Sequence, residues 1–294
     1  TLGQVGQGNA QLAKFNNINS GTSINNSGVR AGISKELSGI FNLEIDSFYA
    51  NKTSFFNQPY YSTTASGAGD YPTISPSFTK YEGWQANFSP RIKGNFGAYG
   101  TSIIGYEFNK ANQSSAASYS TVMNQAAQAQ GAAINPIASS ANASLYNQSV
   151  YFIQRNPLTR VIDFAGGYRY QTQSASANGV SIWSGSTNPN PNQTYSANAG
   201  DIAFNFKYLE GQRIYIKWNQ SYRFPNVDEF WTWSSAGGSP SFGGILKPQT
   251  AQTYELGGNW QLLKTNLTAA IFSSVSQNEI LYNPATFNNS NSPY

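Results

Sequence analysis

Between Gln252 and Leu262 the chain alternates without a break. Tyr254, Leu256, Gly258, Trp260 and Leu262 fall on one face, and Thr253, Glu255, Gly257, Asn259 and Gln261 on the other. Side chains two residues apart share a face only on an extended strand, so this pattern demands a strand with one apolar and one polar side. The pattern recurs. Ile214, Ile216 and Trp218 oppose Arg213, Lys217 and Asn219; Ile202, Phe204, Phe206 and Tyr208 oppose Ala203, Asn205 and Lys207. Ile104, Tyr106 and Phe108 oppose Gly105, Glu107 and Asn109. The alternation predicts about ten strands, near 27–37, 40–51, 81–91, 96–109, 146–155, 159–172, 197–208, 212–224, 251–262 and 265–280. Most run to about 10–14 residues, against about 5–6 in soluble sheets and about 9–11 for a tilted strand that crosses a bilayer.

The connections alternate as well. Short links are expected near Ser38–Gly39, 92–95, 156–158, 209–211 and 263–264, and long ones over 52–80, 110–145, 173–196 and 225–250. Membrane barrels have this asymmetry, with tight turns on one side and long loops on the other. The long links are rich in Ser, Asn, Gln, Ala, Gly and Pro and read as surface loops, with an Ala/Gln run from Met123 to Gly131 capable of a short helix. The fold class expected is therefore all-β, an antiparallel transmembrane barrel wall.

Charge is sparse, 10% of residues, and sorted. The polar faces carry Arg30, Glu44, Asp46, Glu107, Asp163, Arg169, Lys207, Arg213, Lys217, Arg223 and Glu255. Trp84, Phe88, Phe164, Tyr168, Phe204, Trp218, Tyr222 and Trp260 are assigned to the apolar side. In water that side is a sticky liability, whereas in lipid it is the required surface. With no Cys and no His, the chain has no disulfide, no Cys or His metal cluster and no His-dependent triad. No Lys/Arg run points to nucleic acid, despite a net charge of +4. No apolar run is long enough for a membrane helix. No phosphate-binding Gly loop is present; the carboxylates are scattered, and Glu44 and Asp46, which share a strand face, read as ordinary lumenal neighbours, so no catalytic residue, metal or cofactor is assigned.

Two segments carry a resemblance. One is Trp218-Asn219-Gln220-Ser221-Tyr222-Arg223-Phe224-Pro225-Asn226-Val227-Asp228-Glu229-Phe230; the other is Leu246-Lys247-Pro248-Gln249-Thr250-Ala251-Gln252-Thr253-Tyr254-Glu255-Leu256-Gly257. Together they resemble the barrel of TonB-dependent outer-membrane receptors, in which a strand ends in an aromatic-Arg-x-Pro-Asn run with a following Glu. After a loop, the next strand there opens with Leu-x-Pro-Glu and a Tyr-Glu-Leu-Gly. Gln249 replaces the usual Glu, and Phe230 stands where Leu is common. The stretch from Ala269 through Tyr282 is similar to the family's next strand. Tyr222, Arg223, Pro225, Asn226, Glu229, Leu246, Pro248, Tyr254, Glu255, Leu256 and Gly257 are the motif positions, read as structural. Pro225 lacks an N–H and so ends ladder pairing, and Pro248 delays the next strand to Thr250 or Ala251. Arg223 and Glu255, on the polar faces of neighbouring strands, are expected to pair.

The resemblance implies energised uptake of a scarce ligand such as a ferric siderophore or cobalamin across a Gram-negative outer membrane. The implied partners are outer-membrane lipid, the small ligand, and TonB acting through a plug domain. No plug is recognised in 1–294, and the tail from Asn288 to Tyr294 reads as loop, so the chain is expected to be an internal part of a larger barrel. Candidate ligand contacts are the lumenal cations Arg213, Lys217 and Arg223 and the aromatics Phe230, Trp231 and Trp233, whose other reading is packing within the loop. The family's haem receptors usually carry a His in this loop, and its absence here disfavours haem. A passive porin and a secreted β-rich adhesin or carbohydrate-binding protein are the alternative functions.

Overall fold

The computed structural model describes residues 21–62, 73–119, 139–181, 187–188, 192–233, 240–242, 245–262, 265–283 and 288–292. Its strands are β1 (Gly21–Ser38), β2 (Phe41–Ser62), β3 (Thr73–Asn95), β4 (Thr101–Tyr119) and β5 (Ser139–Pro157). There follow β6 (Ile162–Ser181), β7 (Thr187–Asn188), β8 (Asn192–Leu209), β9 (Gln212–Arg223) and β10 (Trp231–Trp233). The last are β11 (Pro240–Phe242), β12 (Gln249–Leu262), β13 (Thr265–Gln277), β14 (Ile280–Asn283) and β15 (Asn288–Asn291). One sheet runs β1-β2-β3-β4-β5-β6-β8-β9-β12-β13, each strand antiparallel to the next, with β7 beside β6. This is an all-β meander that does not close on itself. The hairpins β10–β11 and β14–β15 stand apart from it.

The register carries the alternation from strand to strand. Glu44 lies opposite Arg91, Arg91 opposite Gly105, Glu107 opposite Ser149, and Tyr151 opposite Arg169. Asp201 lies opposite Gly167 and Asn219, and Lys217 opposite Glu255. The polar positions therefore form one continuous surface, which in a membrane barrel faces the lumen. On the other surface Val29, Ile33, Ile104, Tyr168, Ile216, Tyr254 and Ile271 are exposed by 54–71%. Phe41 and Tyr49 mark the ends of this apolar band on β2. Eight residue steps of about 3.3 Å, tilted by about 40°, give a height of about 20 Å, close to the apolar band of outer-membrane barrels. The rings of Tyr49 and Trp84 stack at 6.1 Å at its upper end, and Phe41 meets Phe96 edge-on at 5.9 Å at its lower end.

The strands run well beyond their expected limits on the long-loop side. β2 continues through 52–62, β3 begins at Thr73, β4 continues through 111–119, β5 begins at Ser139 and β6 continues to Ser181. The expected loops over 52–80, 110–145 and 173–196 are thus partly strand. The reason is physical: once a strand leaves the bilayer, both of its faces meet polar surroundings. The hydrogen-bonded ladder then persists while the apolar alternation that betrays it ends. The Met123–Gly131 helix and the Leu263–Lys264 turn lie outside the described residues. On the turn side, 92–95 belongs to β3, and the chain reverses over 96–100. The next reversal is at 158–161, where the Thr159 hydroxyl accepts from Val161 and Ile162 N–H. Gly211 turns β8 into β9 at φ 71°, a left-handed conformation that glycine takes without strain. The tail read as loop contains β15, paired with β14.

Candidate functional site

The lumenal surface of the sheet is laced by ion pairs that cross strands. Arg91 Nε meets Glu44 at 2.6 Å and its Nη2 meets Asp46 at 3.2 Å, while Arg30 approaches the other Asp46 oxygen at 3.5 Å. Further along, Arg169 Nη2 meets Glu107 at 2.6 Å. Arg169 also donates to Gln171 Oε1 from Nε and Nη2, at 3.2 and 3.0 Å, and Tyr222 donates to the same oxygen at 2.8 Å. Lys207 pairs with Asp163 at 2.5 Å. Long polar side chains lying side by side on a ladder satisfy one another in this way and stiffen the wall.

Tyr222 departs from its expected place. The alternation assigns it to the apolar side, yet its hydroxyl reaches Gln171 on the lumenal network. The β8–β9 pairing ends at Gly200 opposite Gln220, which leaves Tyr222 no β8 partner, while the β9–β12 ladder holds its register to Arg223 opposite Gln249. Tyr222 packs edge-on against Phe224 at 5.3 Å, and Phe224 and Pro225 are buried.

Arg223 does not pair with Glu255. Its partner is Glu229, whose two oxygens accept from Nη1 at 2.8 and 3.0 Å, and Oε2 also accepts from Asn226 N–H at 2.8 Å. The register explains the difference. It sets Arg223 opposite Gln249, while Glu255 lies opposite Lys217 and accepts from the Tyr215 hydroxyl. Arg213 and Asn259 are register partners. With the Asn259 amide turned to satisfy its surroundings, its oxygen accepts from Arg213 Nε and Nη2, both at 2.9 Å. The candidate cations Arg213, Lys217 and Arg223 therefore form a file along β9. They stand about 13 and 20 Å apart at strand spacing and do not converge on one point.

Phe230 is fully buried. It lies on Ala143, Leu145, Ala175 and Ala177, with Ala111 and Ile245 against the same cluster. Trp231 and Trp233 belong to β10, which pairs with β11, and their side chains lie outside the described residues. Ser149 Oγ and Gln173 Oε1 are buried on the same lumenal surface without a protein partner. Sequence reasoning set Arg169, Glu107, Glu44 and Asp46 on the polar strand faces but did not single out Arg91 or pair any of them. Their parity was the available signal, and only the register shows which of them meet.

The family model described as "TonB dependent receptor-like, beta-barrel" matches residues 3–294. The chain belongs to the TonB-dependent receptor family. Solved structures that this TonB-dependent receptor barrel resembles include the ferric-catecholate import receptor Fiu of E. coli K12 in its closed form. There the TM-score is 0.66 at 15% identity, over 92% of this chain and 43% of Fiu. The copper transporter OprC gives 0.64 at 14% identity, over 92% and 42%. The ferric yersiniabactin uptake receptor FyuA of Yersinia pestis gives 0.59 at 14% identity, over 90% and 38%. At these identities the likeness is one of fold, and the chain spans about two-fifths of each of these proteins. No curated protein matches the sequence. The family is one of the outer membrane, and its members here are receptors and transporters rather than enzymes.

The receptor motif has a physical reading in this barrel. β9 stops at Arg223, two residues before Pro225, and β12 starts at Gln249, directly after Pro248. Glu229 then ties the residues between strand end and loop to Arg223 and Asn226. Gly257 makes room for Tyr215: a Cβ there would sit 2.5 Å from the Tyr215 ring, whose hydroxyl reaches Glu255 on the same strand as Gly257.

Proposed function

We propose that the chain is part of the wall of an outer-membrane receptor that takes up a scarce chelated nutrient, such as a ferric siderophore. TonB drives transport through a plug domain carried elsewhere in the receptor. The observation that carries this reading is the family match across residues 3–294. The polar lumenal face supports it, since Arg213, Lys217 and Arg223 offer cations to an anionic chelate, and Trp231 and Trp233 are proposed as stacking contacts in the loop beyond. The family match also favours a receptor over a secreted adhesin. The neighbours include a copper transporter as well as ferric-chelate receptors. The chain has no Cys or His and one Met, so it offers mainly oxygen donors and aromatic faces. That chemistry suits a metal wrapped in its chelator better than a bare soft ion.

The test is uptake of radioactive iron on a panel of catecholate, hydroxamate and carboxylate chelators. The full-length receptor is placed in cells stripped of their own receptors, with and without TonB. Saturable uptake that requires TonB is the expected result. Uptake of small solutes that ignores TonB would instead make the protein a passive pore.

A further inference from the structure

On an open sheet a lumenal side chain is buried only where something lies on it. Among the described residues a patch of buried lumenal positions lies on β5, β6 and β8: Ala141, Ala143, Leu145, Ser149, Gln173, Ala175, Ala177 and Ala197, with Ser54 buried separately on β2. What lies on it is the segment that follows β9. Phe230 sits on the alanines, Ile245 joins the same cluster, and Tyr195 donates to the Ile245 carbonyl at 3.4 Å. From the side, Asn291 of β15 accepts from Lys247 N–H at 2.8 Å and donates to its carbonyl at 3.0 Å. Phe230, which follows the motif's strand end, therefore lies inward on the wall, and Ile245 joins it there. Its floor is mostly methyl groups, and the polar atoms beside it, Ser149 Oγ and Gln173 Oε1, gain no protein partner from the cover. The hold is thus apolar, and among the described side chains Phe230 supplies it, with Ile245 packed beside it.

We propose that Phe230 is a positioning residue that seats residues 224–230 as an inward strap in an alanine recess of the lumenal wall. The strap narrows the ligand's route past β5 and β6 by about 10 Å, the thickness of one packed layer. The proposal rests on the receptor reading, because only a transported ligand has a route to narrow. It assigns Phe230 to the placement of the strap, with Arg223 and Glu229 as the groups placed.

The test uses the whole receptor in the outer membrane. Single thiols are introduced by Ala177→Cys, on the recess floor, and by Asn178→Cys, its exposed neighbour, and both are probed on intact cells with a membrane-impermeant maleimide. Protection by a packed cover is expected to slow the reaction at 177 by about tenfold or more relative to 178. Adding Phe230→Ala is expected to bring the two rates within about twofold, and Phe230→Leu to restore most of the protection. A spin label at Asn226→Cys is expected to sharpen with Phe230→Ala but not with Leu256→Ala, which weakens the barrel elsewhere. Retained mobility on unheated gels shows that the barrel has assembled. If Phe230→Ala fails to assemble, Ala143→Phe, which fills the recess from the wall side, replaces it. Equal reactivity at 177 and 178 with Phe230 in place, or protection that survives both variants, overturns the proposal. The labelling needs no ligand, so a failure of TonB-dependent uptake and a failure of the strap are separate results.

Discussion

Glu229 closes both carboxylate oxygens on one guanidinium nitrogen of Arg223, at 2.8 and 3.0 Å, six residues back along the chain. Because Oε2 also takes the Asn226 N–H, one side chain fixes the exit from β9 around Pro225. Charge-assisted bonds contribute about 1.5–3 kcal/mol when shielded and exposed pairs about 0–1. Glu229 is the less exposed partner, at 22% against 43%. Glu229→Ala is expected to cost about 1–2 kcal/mol in urea unfolding of the lipid-reconstituted receptor, and Glu229→Gln about half of that. Equal stability of all three proteins would show that the clamp is idle.

Arg169 and Glu107 meet at 2.6 Å across the intervening β5, with about a third of each side chain exposed. Glu107→Leu leaves a half-buried guanidinium without its anion and is expected to cost about 2–3 kcal/mol. The double substitution with Arg169→Met is expected to recover most of the loss. A double-mutant cycle with a coupling near zero would refute the pairing.

Ile216 and Lys217 are neighbours on β9 and face opposite media. Ile216→Arg puts a charge in the apolar band and is expected to cost about 2–4 kcal/mol, whereas Lys217→Ile on the lumenal side is expected to change stability by less than about 1. The measurement is reversible folding into lipid vesicles. A reversal of the two costs would mean that the faces are assigned the wrong way round.

Gly257→Ala drives a methyl group into the Tyr215 ring. Overpacking of this kind costs about 1–3 kcal/mol, and Tyr215 is expected to lose its bond to Glu255. Combining it with Tyr215→Ala removes the obstacle, so the pair is expected to be less destabilised than the sum of the singles. Strict additivity would contradict the contact.

What the sequence showed, it showed where lipid and water meet the two faces of a strand. The apolar alternation located the ten long strands of the main sheet, though not the two-residue β7, and assigned Ile216, Lys217 and Glu255 to the sides on which they lie. It was silent where that contrast ends, so the outer reaches of β2 to β6 read as loops. Side-chain partners depended on register, which single strands do not reveal. Arg223 and Glu255 share a face, but the turn from β9 to β12 offsets them by six positions, and a closer acid, Glu229, takes the arginine. Phe230 read as packing within the loop ahead of a stacking surface. Only the convergence of Ala111, Ala143, Ala175 and Ala177 from three strands shows that a recess awaits it.

The continuation of β2 to Ser62, thirteen positions past Tyr49, has a consequence for first encounter. At strand rise and barrel tilt this raises the rim about 30 Å above the upper aromatic level. A molecule diffusing outside the cell meets hydrogen-bonded scaffold long before it reaches the depth of the bilayer. Substitutions on that parapet are free of the demands of insertion. The portion of the wall that samples the environment can therefore diversify while the portion that lives in lipid stays constrained.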